Sequence, residues 1–207
     1  MGLFITLEGI DGSGKSTQAR LLAESLAEEG WETVLTREPG GSPGAEEIRR
    51  LLVEGEPGRW SPETELLLFT AARRDHVERT IRPALDAGKV VICDRFVDST
   101  RAYQGSTGLR RMVDALHDML IGLDPDLTLI FDLDPETGAA RAGARGDSED
   151  RFEQKGLEFQ HELRSAFQQL AFEDRERYRI IAADQDAPKV AKDVRTALNP
   201  LLETAHG

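Results

Sequence analysis

Leu3-Phe4-Ile5-Thr6-Leu7-Glu8-Gly9-Ile10-Asp11-Gly12-Ser13-Gly14-Lys15-Ser16-Thr17 opens with an apolar run, breaks into glycines and ends on a lysine followed by two hydroxyls. Residues 3–8 are β-branched, aromatic and leucine-rich, and Leu and Ala recur at helical spacing from Lys15 to Glu29, so the stretch reads as strand, loop, helix. Residues 9–16 fit G-x-x-x-x-G-K-[ST] in full, in the strand-to-helix setting that confirms such a loop as a nucleoside triphosphate cradle. Its glycines let successive N–H groups converge on a polyphosphate, and the helix amino terminus adds partial positive charge toward the same anion. Lys15 would span the β- and γ-phosphates and the Ser16 hydroxyl would ligate Mg²⁺. The nucleotide-binding candidates are Gly9, Ile10, Asp11, Gly12, Ser13, Gly14, Lys15, Ser16 and Thr17. A plain glycine turn ahead of a helix would need neither the lysine nor the hydroxyl.

Outward from this loop, residues 32–36, 89–93, 127–132 and, most weakly, 178–182 read as further strands, each beside a helical pattern. Strands alternating with helices imply parallel pairing through right-handed crossovers, hence an α/β fold with a five-stranded parallel sheet flanked by helices. Residues 62–87 are helical throughout and contain Leu66, Leu67, Leu68 and Phe69, a run that wraps more than one face and requires burial on more than one side. Residues 139–153 are glycine-rich, charged and poor in apolar groups, the best candidate for a mobile loop. There are no repeats and no interdomain linker, and 207 residues suit one domain.

Composition excludes other classes. With 26 Lys and Arg against 38 Asp and Glu, the net charge of −12 would repel a nucleic-acid backbone, so polymeric nucleic acid is not an expected partner. No stretch approaches the ~20 apolar residues of a membrane span. No secretory signal opens the chain, and the lone Cys93 cannot form an internal disulfide, which together favour the cytoplasm. His76, His117, His161 and His206 lack ligand spacing and read as surface or helix residues.

The strand ends separate a kinase from a switch. No Asn-Lys-x-Asp guanine-reading tetrapeptide lies between Val90 and Ile181. Instead, Asp94-Arg95-Phe96 follows the strand at 89–93, where open α/β sheets bind ligands. Asp94 can hold metal-bound water and Arg95 can clamp a second phosphate, although the pair taken alone would also fit a surface ion pair. Thr36-Arg37-Glu38-Pro39-Gly40-Gly41 ends another strand as a rigid polar turn, for which a tight structural turn is the alternative.

Taken in order, EGIDGSGKST (8–17), TREPGG (36–41), LLLFTAAR (66–73), DRFVDSTRAYQG (94–105), PDLTLIFDL (125–133) and RAGARGDSEDRFE (141–153) resemble the bacterial thymidylate kinases over nearly the whole chain. The resemblance implies a nucleoside-monophosphate-kinase-like three-layer fold and transfer of the γ-phosphoryl group of ATP to dTMP with Mg²⁺ held at Ser16 and Asp94. It also implies a homodimer. On the acceptor side it implies Glu38 and Pro39 in the substrate turn, Phe69 stacking on thymine and Arg73, four residues on, reaching the O4 carbonyl. Thr100 and Gln104 would read the base edge, Tyr103 would fill the space of a ribose 2′-hydroxyl, Asp11 would contact the 3′-hydroxyl and Arg95 the phosphate. Thymidylate kinases carry a catalytic arginine either in the P-loop or in a lid; Gly12-Ser13 lacks it, so a lid at about 141–153 should supply Arg145 and Arg151, with Arg141 in a structural role. The catalytic candidates are therefore Lys15, Arg95, Arg145 and Arg151. Phe167-Gln168, where a Tyr-Leu pair is expected, and Gln154-Lys155-Gly156 depart from the pattern without removing any of these groups.

Two rivals remain. A deoxynucleoside kinase shares the loop and the Asp-Arg pair, but Arg73 with Arg95 suits an acceptor that already bears a phosphate; a silent nucleotide-binding module would release no ADP. For assembly, the run at 66–69 predicts Leu66 and Leu68 on outward faces of their helix, a strip that marks a partner surface unless neighbouring helices cover it.

Overall fold

The structure, a computed structural model, describes residues 2–56, 58–143 and 156–205. Strands β1 (Leu3–Glu8), β2 (Thr33–Arg37), β3 (Val90–Asp94), β4 (Leu127–Asp132) and β5 (Tyr178–Ala182) form one sheet in the order β2-β3-β1-β4-β5. Every neighbouring pair is parallel. β2 and β3 each run one residue beyond the sequence expectation, because their ladder continues until Arg37 pairs with Asp94. β2 is an edge strand, and its Leu35 is exposed. β5 occupies the other edge, which explains its weak apolar signal.

Strand alternation divides the core into two layers. Ile5, Leu7, Val90 and Ile92 pack with Leu22 of α1 (Lys15–Glu28), Leu163 and Phe167 of α8 (Gly156–Glu173) and Val194 of α9 (Ala187–Ala205). Phe4, Val91 and Cys93 point the other way, toward Leu66 of α3 (Pro62–His76), Phe96 and Val113 of α6 (Arg110–Leu116). The connection after β1 leads to β2 on one side and that after its neighbour β4 leads to β5 on the other, which opens a crevice at the carboxyl edge. The elements around that crevice are α2 (Pro43–Val53), α5 (Val97–Tyr103) and α7 (Pro135–Gly143).

The long helical stretch is α3, a π-helical turn at Val77–Ile81 and α4 (Arg82–Asp86). Pro62 opens it, and the Ser61 hydroxyl caps it by accepting the Thr64 N–H at 3.2 Å. Within the leucine run the orientation differs from the sequence expectation. Leu66 is 1% exposed while Leu67 is 56% exposed, and Leu68 is half-buried. Leu66, Thr70, Arg73 and Val77 share the 3.6-residue stripe that faces inward, which turns Leu67 to the surface. His76 and His117, read as surface or helix residues, are both helical and both buried.

Candidate active site

The glycine loop joins β1 to α1, and no side chain caps the first turn of α1, so its leading N–H groups face the loop. Lys15 lies buried across this loop, its Nζ donating to the Ile10 carbonyl at 2.8 Å and to Ser13 Oγ at 3.3 Å. Burial, and then the nearby Arg95 charge, push the ammonium down to about 8; a bound polyphosphate would push it back up. Gly12 has φ +75, and a Cβ there would fall 2.1 Å from the Gly138 carbonyl of α7. No side chain fits at that position, which gives a physical reason why the loop carries no arginine there.

Ser16 Oγ donates to Asp94 Oδ2 at 2.5 Å, bringing the two proposed Mg²⁺ ligands together between the start of α1 and the end of β3. Asp94 Oδ1 is buried and has no partner among the described residues, so the pair offers a free carboxylate oxygen to a hard cation. No group of three or more His, Cys, Asp or Glu side chains suited to a metal occurs among the described residues. Phosphate oxygens and water would have to complete an octahedron here, which fits Mg²⁺.

Beside the loop, a cleft is lined by Asp11, Glu38, Pro39, Val53, Phe69, Arg73, Arg95, Phe96, Ser99, Thr100, Tyr103 and Gln104. Every acceptor-side residue expected from the sequence lies in this lining, joined by Val53 and by Phe96 and Ser99, which the sequence motifs include without giving them a role of their own. Glu38 Oε2 accepts from Arg73 Nε at 2.7 Å, and Arg73 Nη2 donates to Thr100 Oγ1 at 2.8 Å. The second Glu38 oxygen meets His76 Nδ1 at 3.0 Å. Gln104 Oε1, also buried, has no partner among the described residues. Tyr103 Oη donates to Asp11 Oδ2 at 3.3 Å, and Arg95 stacks 5.4 Å from the Tyr103 ring centroid.

Arg95 takes φ 68, an uncommon conformation for a side-chain-bearing residue, and its guanidinium bonds Asp11, the Gly9 carbonyl at 3.2 Å and Ser99 Oγ at 3.0 Å. Burial would raise the Asp11 carboxyl, but the charges of Arg95 and Lys15 prevail and hold it below its ordinary value. Behind Arg95 stands Glu8, fully buried, accepting the Phe96 N–H at 2.7 Å and the Ser99 hydroxyl at 2.6 Å. Burial, with the Asp98 charge second, pushes its carboxyl up to about 7. Glu8 was visible only as the last letter of a strand; the signal was a charged residue ending an apolar run beside the loop.

Arg141 Nη1 donates to the Ala183 carbonyl at 2.8 Å, an interaction that ties α7 to the end of β5. Arg145 and Arg151 lie outside the described residues. Of the two departures, the first places Phe167 in the core and has Gln168 donating to Asp132 Oδ1 at 3.1 Å, while Gln154 and Lys155 of the second lie outside the described residues. Burial raises the Cys93 thiol well above its ordinary value, which leaves it inert as a nucleophile.

A family model described as thymidylate kinase matches residues 7–194. The chain is 66% identical over 195 residues to a thymidylate kinase of Ruegeria pomeroyi, covering 93% of this chain and 92% of the relative. It is 58% identical over 205 residues to one of Jannaschia sp., covering 98% and 99%. Among solved structures, the thymidylate kinase of Ehrlichia chaffeensis superposes with a TM-score of 0.77 at 38% identity, covering 95% of this chain and 98% of that one.

Proposed function

The chain belongs to the thymidylate kinase family and transfers the γ-phosphoryl group of ATP to dTMP, giving ADP and dTDP; on that premise we propose that residues 9–17 hold ATP and that the adjoining cleft holds dTMP. The observation that carries the second assignment is the pairing, in one cleft, of the Arg73 guanidinium with Gln104 Oε1, which lacks a partner among the described residues. Thymine presents a carbonyl acceptor at O4 beside an N–H donor at N3. Arg73 supplies the donor and Gln104 the acceptor for that edge. Phe69 stacks on the ring, Thr100 holds Arg73, and Glu38 and Pro39 close the turn side. Asp11 meets the 3′-hydroxyl, and Tyr103 occupies the space a 2′-hydroxyl would need.

In the transfer, Lys15 stabilises charge on the β- and γ-phosphates and Arg95 holds the acceptor phosphate beside the loop. Ser16 and Asp94 would hold Mg²⁺, which supplies charge neutralisation on the polyphosphate. Arg145 and Arg151, from a lid at about 141–153 of a single kinase domain spanning 1–207, deliver further positive charge to the migrating group. No general base is required, because phosphoryl transfer of this kind depends on positioning and charge.

Among the described residues no helix is long and apolar enough to cross a membrane. A buried free thiol and ATP-dependent nucleotide chemistry support a cytoplasmic setting. A two-fold homodimer is supported by exposed apolar side chains on adjoining elements: Leu67 of α3, Met112 of α6, and Met119 and Leu120 in the π-helical turn that follows α6. Arg74 of α3 donates to the Leu120 carbonyl at 2.7 Å, which holds these elements side by side.

A coupled ADP-release assay over a panel of nucleosides and monophosphates tests the assignment. dTMP should give the highest kcat/KM and thymidine no turnover. A preference for thymidine, or no ADP release with any monophosphate, would overturn it.

A further inference from the structure

We infer that His76 is a positioning residue for base recognition: through Glu38 it sets the guanidinium of Arg73, while Thr36 and Gly41 fix its imidazole from behind. The inference rests on the proposed reading of thymine by Arg73.

Arg73 and His76 stand three residues apart on α3 and converge on one carboxylate, Arg73 Nε at 2.7 Å from Glu38 Oε2 and His76 Nδ1 at 3.0 Å from Oε1. With each oxygen engaged by a different residue, the carboxylate cannot turn without breaking a bond. Carboxylate oxygens accept, so the proton of the second bond sits on Nδ1. The far nitrogen, Nε2, meets Thr36 Oγ1 at 2.7 Å, which anchors the ring to the end of β2. A chain of bonds therefore runs from the sheet through His76 and Glu38 to Arg73, and on to Thr100 of α5 at 2.8 Å.

Burial makes this chain consequential. Glu38, Arg73 and His76 are 6%, 3% and 0% exposed, so water does not replace a lost partner. Gly41 seals the far side. Its φ is +84, and a Cβ there would fall 2.3 Å from His76 Nε2 and 2.4 Å from Thr36 Oγ1, so the loop backbone lies directly on that hydrogen bond. The Gly41 carbonyl is itself held by the Thr80 hydroxyl at 2.8 Å. Second-tier partners of this kind fix the orientation of the group that touches the ligand. A histidine that only filled space would need neither the Thr36 bond nor a glycine pressed onto it.

Steady-state kinetics of the full chain test the inference. His76→Phe keeps the ring and removes both bonds; it should raise the KM for dTMP about tenfold or more while kcat and the KM for ATP stay within about threefold. His76→Asn, whose amide can still donate to Glu38, should recover most of the loss. Thr36→Val should raise the dTMP KM about threefold and Thr36→Ser should restore it, a pair that carries the test if His76→Phe fails to fold. dTMP KM values within about twofold of wild type for the folded variants, with only the Tm lowered, would overturn the inference. Arg73→Lys separates the two layers. An unchanged dTMP KM in that variant would remove the base-reading role and this inference with it; a raised KM there, with His76 and Thr36 variants at wild-type values, would defeat the inference alone.

Discussion

The proposed donor half of the site comes from one continuous stretch, residues 9–17, whose phosphate cradle would be largely backbone; the proposed acceptor half draws on the P-loop, the turn after β2, α2, α3 and the segment from Arg95 to Gln104, and is held by buried charges. A backbone cradle tolerates change wherever glycine and the helix start are kept. A cradle of buried ion pairs does not, because removing one partner strands the other in a low-dielectric interior. The donor half should thus fail in rate when its one key cation is lost, and the acceptor half in affinity when any of several links is cut.

Lys15→Ala should break the donor side most severely. Loss of this charge from a buried site is expected to lower kcat by about a thousandfold or more, with the dTMP KM changed little. Stopped-assay rates within about tenfold of wild type would show that the loop does not carry the transfer.

Glu8 sits where the two halves meet, bonded to the Phe96 N–H and to Ser99 and facing the charges of Arg95 and Asp98. Its carboxyl is raised from 4.5 to about 7 on folding, so its contribution to stability is present in full below the ordinary carboxylate range and is lost as pH rises through about 7. Relative to Glu8→Gln, wild type should lose roughly 3 kcal/mol across that window. Urea unfolding of both proteins at pH 4.5 and pH 8 measures it; parallel pH profiles would contradict the assignment.

Tyr103→Ala should sharpen the acceptor side. Discrimination between dTMP and its ribose counterpart is expected to narrow about tenfold if, as proposed, the ring fills the 2′ position. An unchanged ratio of kcat/KM values would relieve Tyr103 of that role. Leu67→Glu should have the smallest effect on turnover while splitting a dimer into a 22.9 kDa species in light scattering. A wild-type chain that is already monomeric at micromolar concentration would remove the interface.

How much of this was legible in the sequence follows the same division. The loop, the strand–helix alternation and five parallel strands could be read because contiguous residues carry them. Phe69 and Arg73 were paired by helical spacing, and both line the cleft. Glu8, Thr36 and His76 were given no role because what they do depends on partners far along the chain, such as Glu8 with Ser99 and His76 with Glu38. A histidine without ligand spacing looks like any surface residue until Glu38 and Thr36 are brought to its two nitrogens. The rotation of the leucine run was misassigned for a related reason: four adjacent leucine-like residues leave the inward stripe open, and only the burial of Thr70 and Arg73 decides it.

The central claim, that affinity for dTMP rests on the buried network of the acceptor half and not on the Lys15 charge of the donor half, is tested most directly by calorimetric titration of dTMP without ATP or Mg²⁺. Lys15→Ala should bind dTMP within about threefold of wild type, whereas Arg73→Lys should bind at least about tenfold more weakly. Wild-type affinity in Arg73→Lys, or a comparable loss in Lys15→Ala, would contradict it.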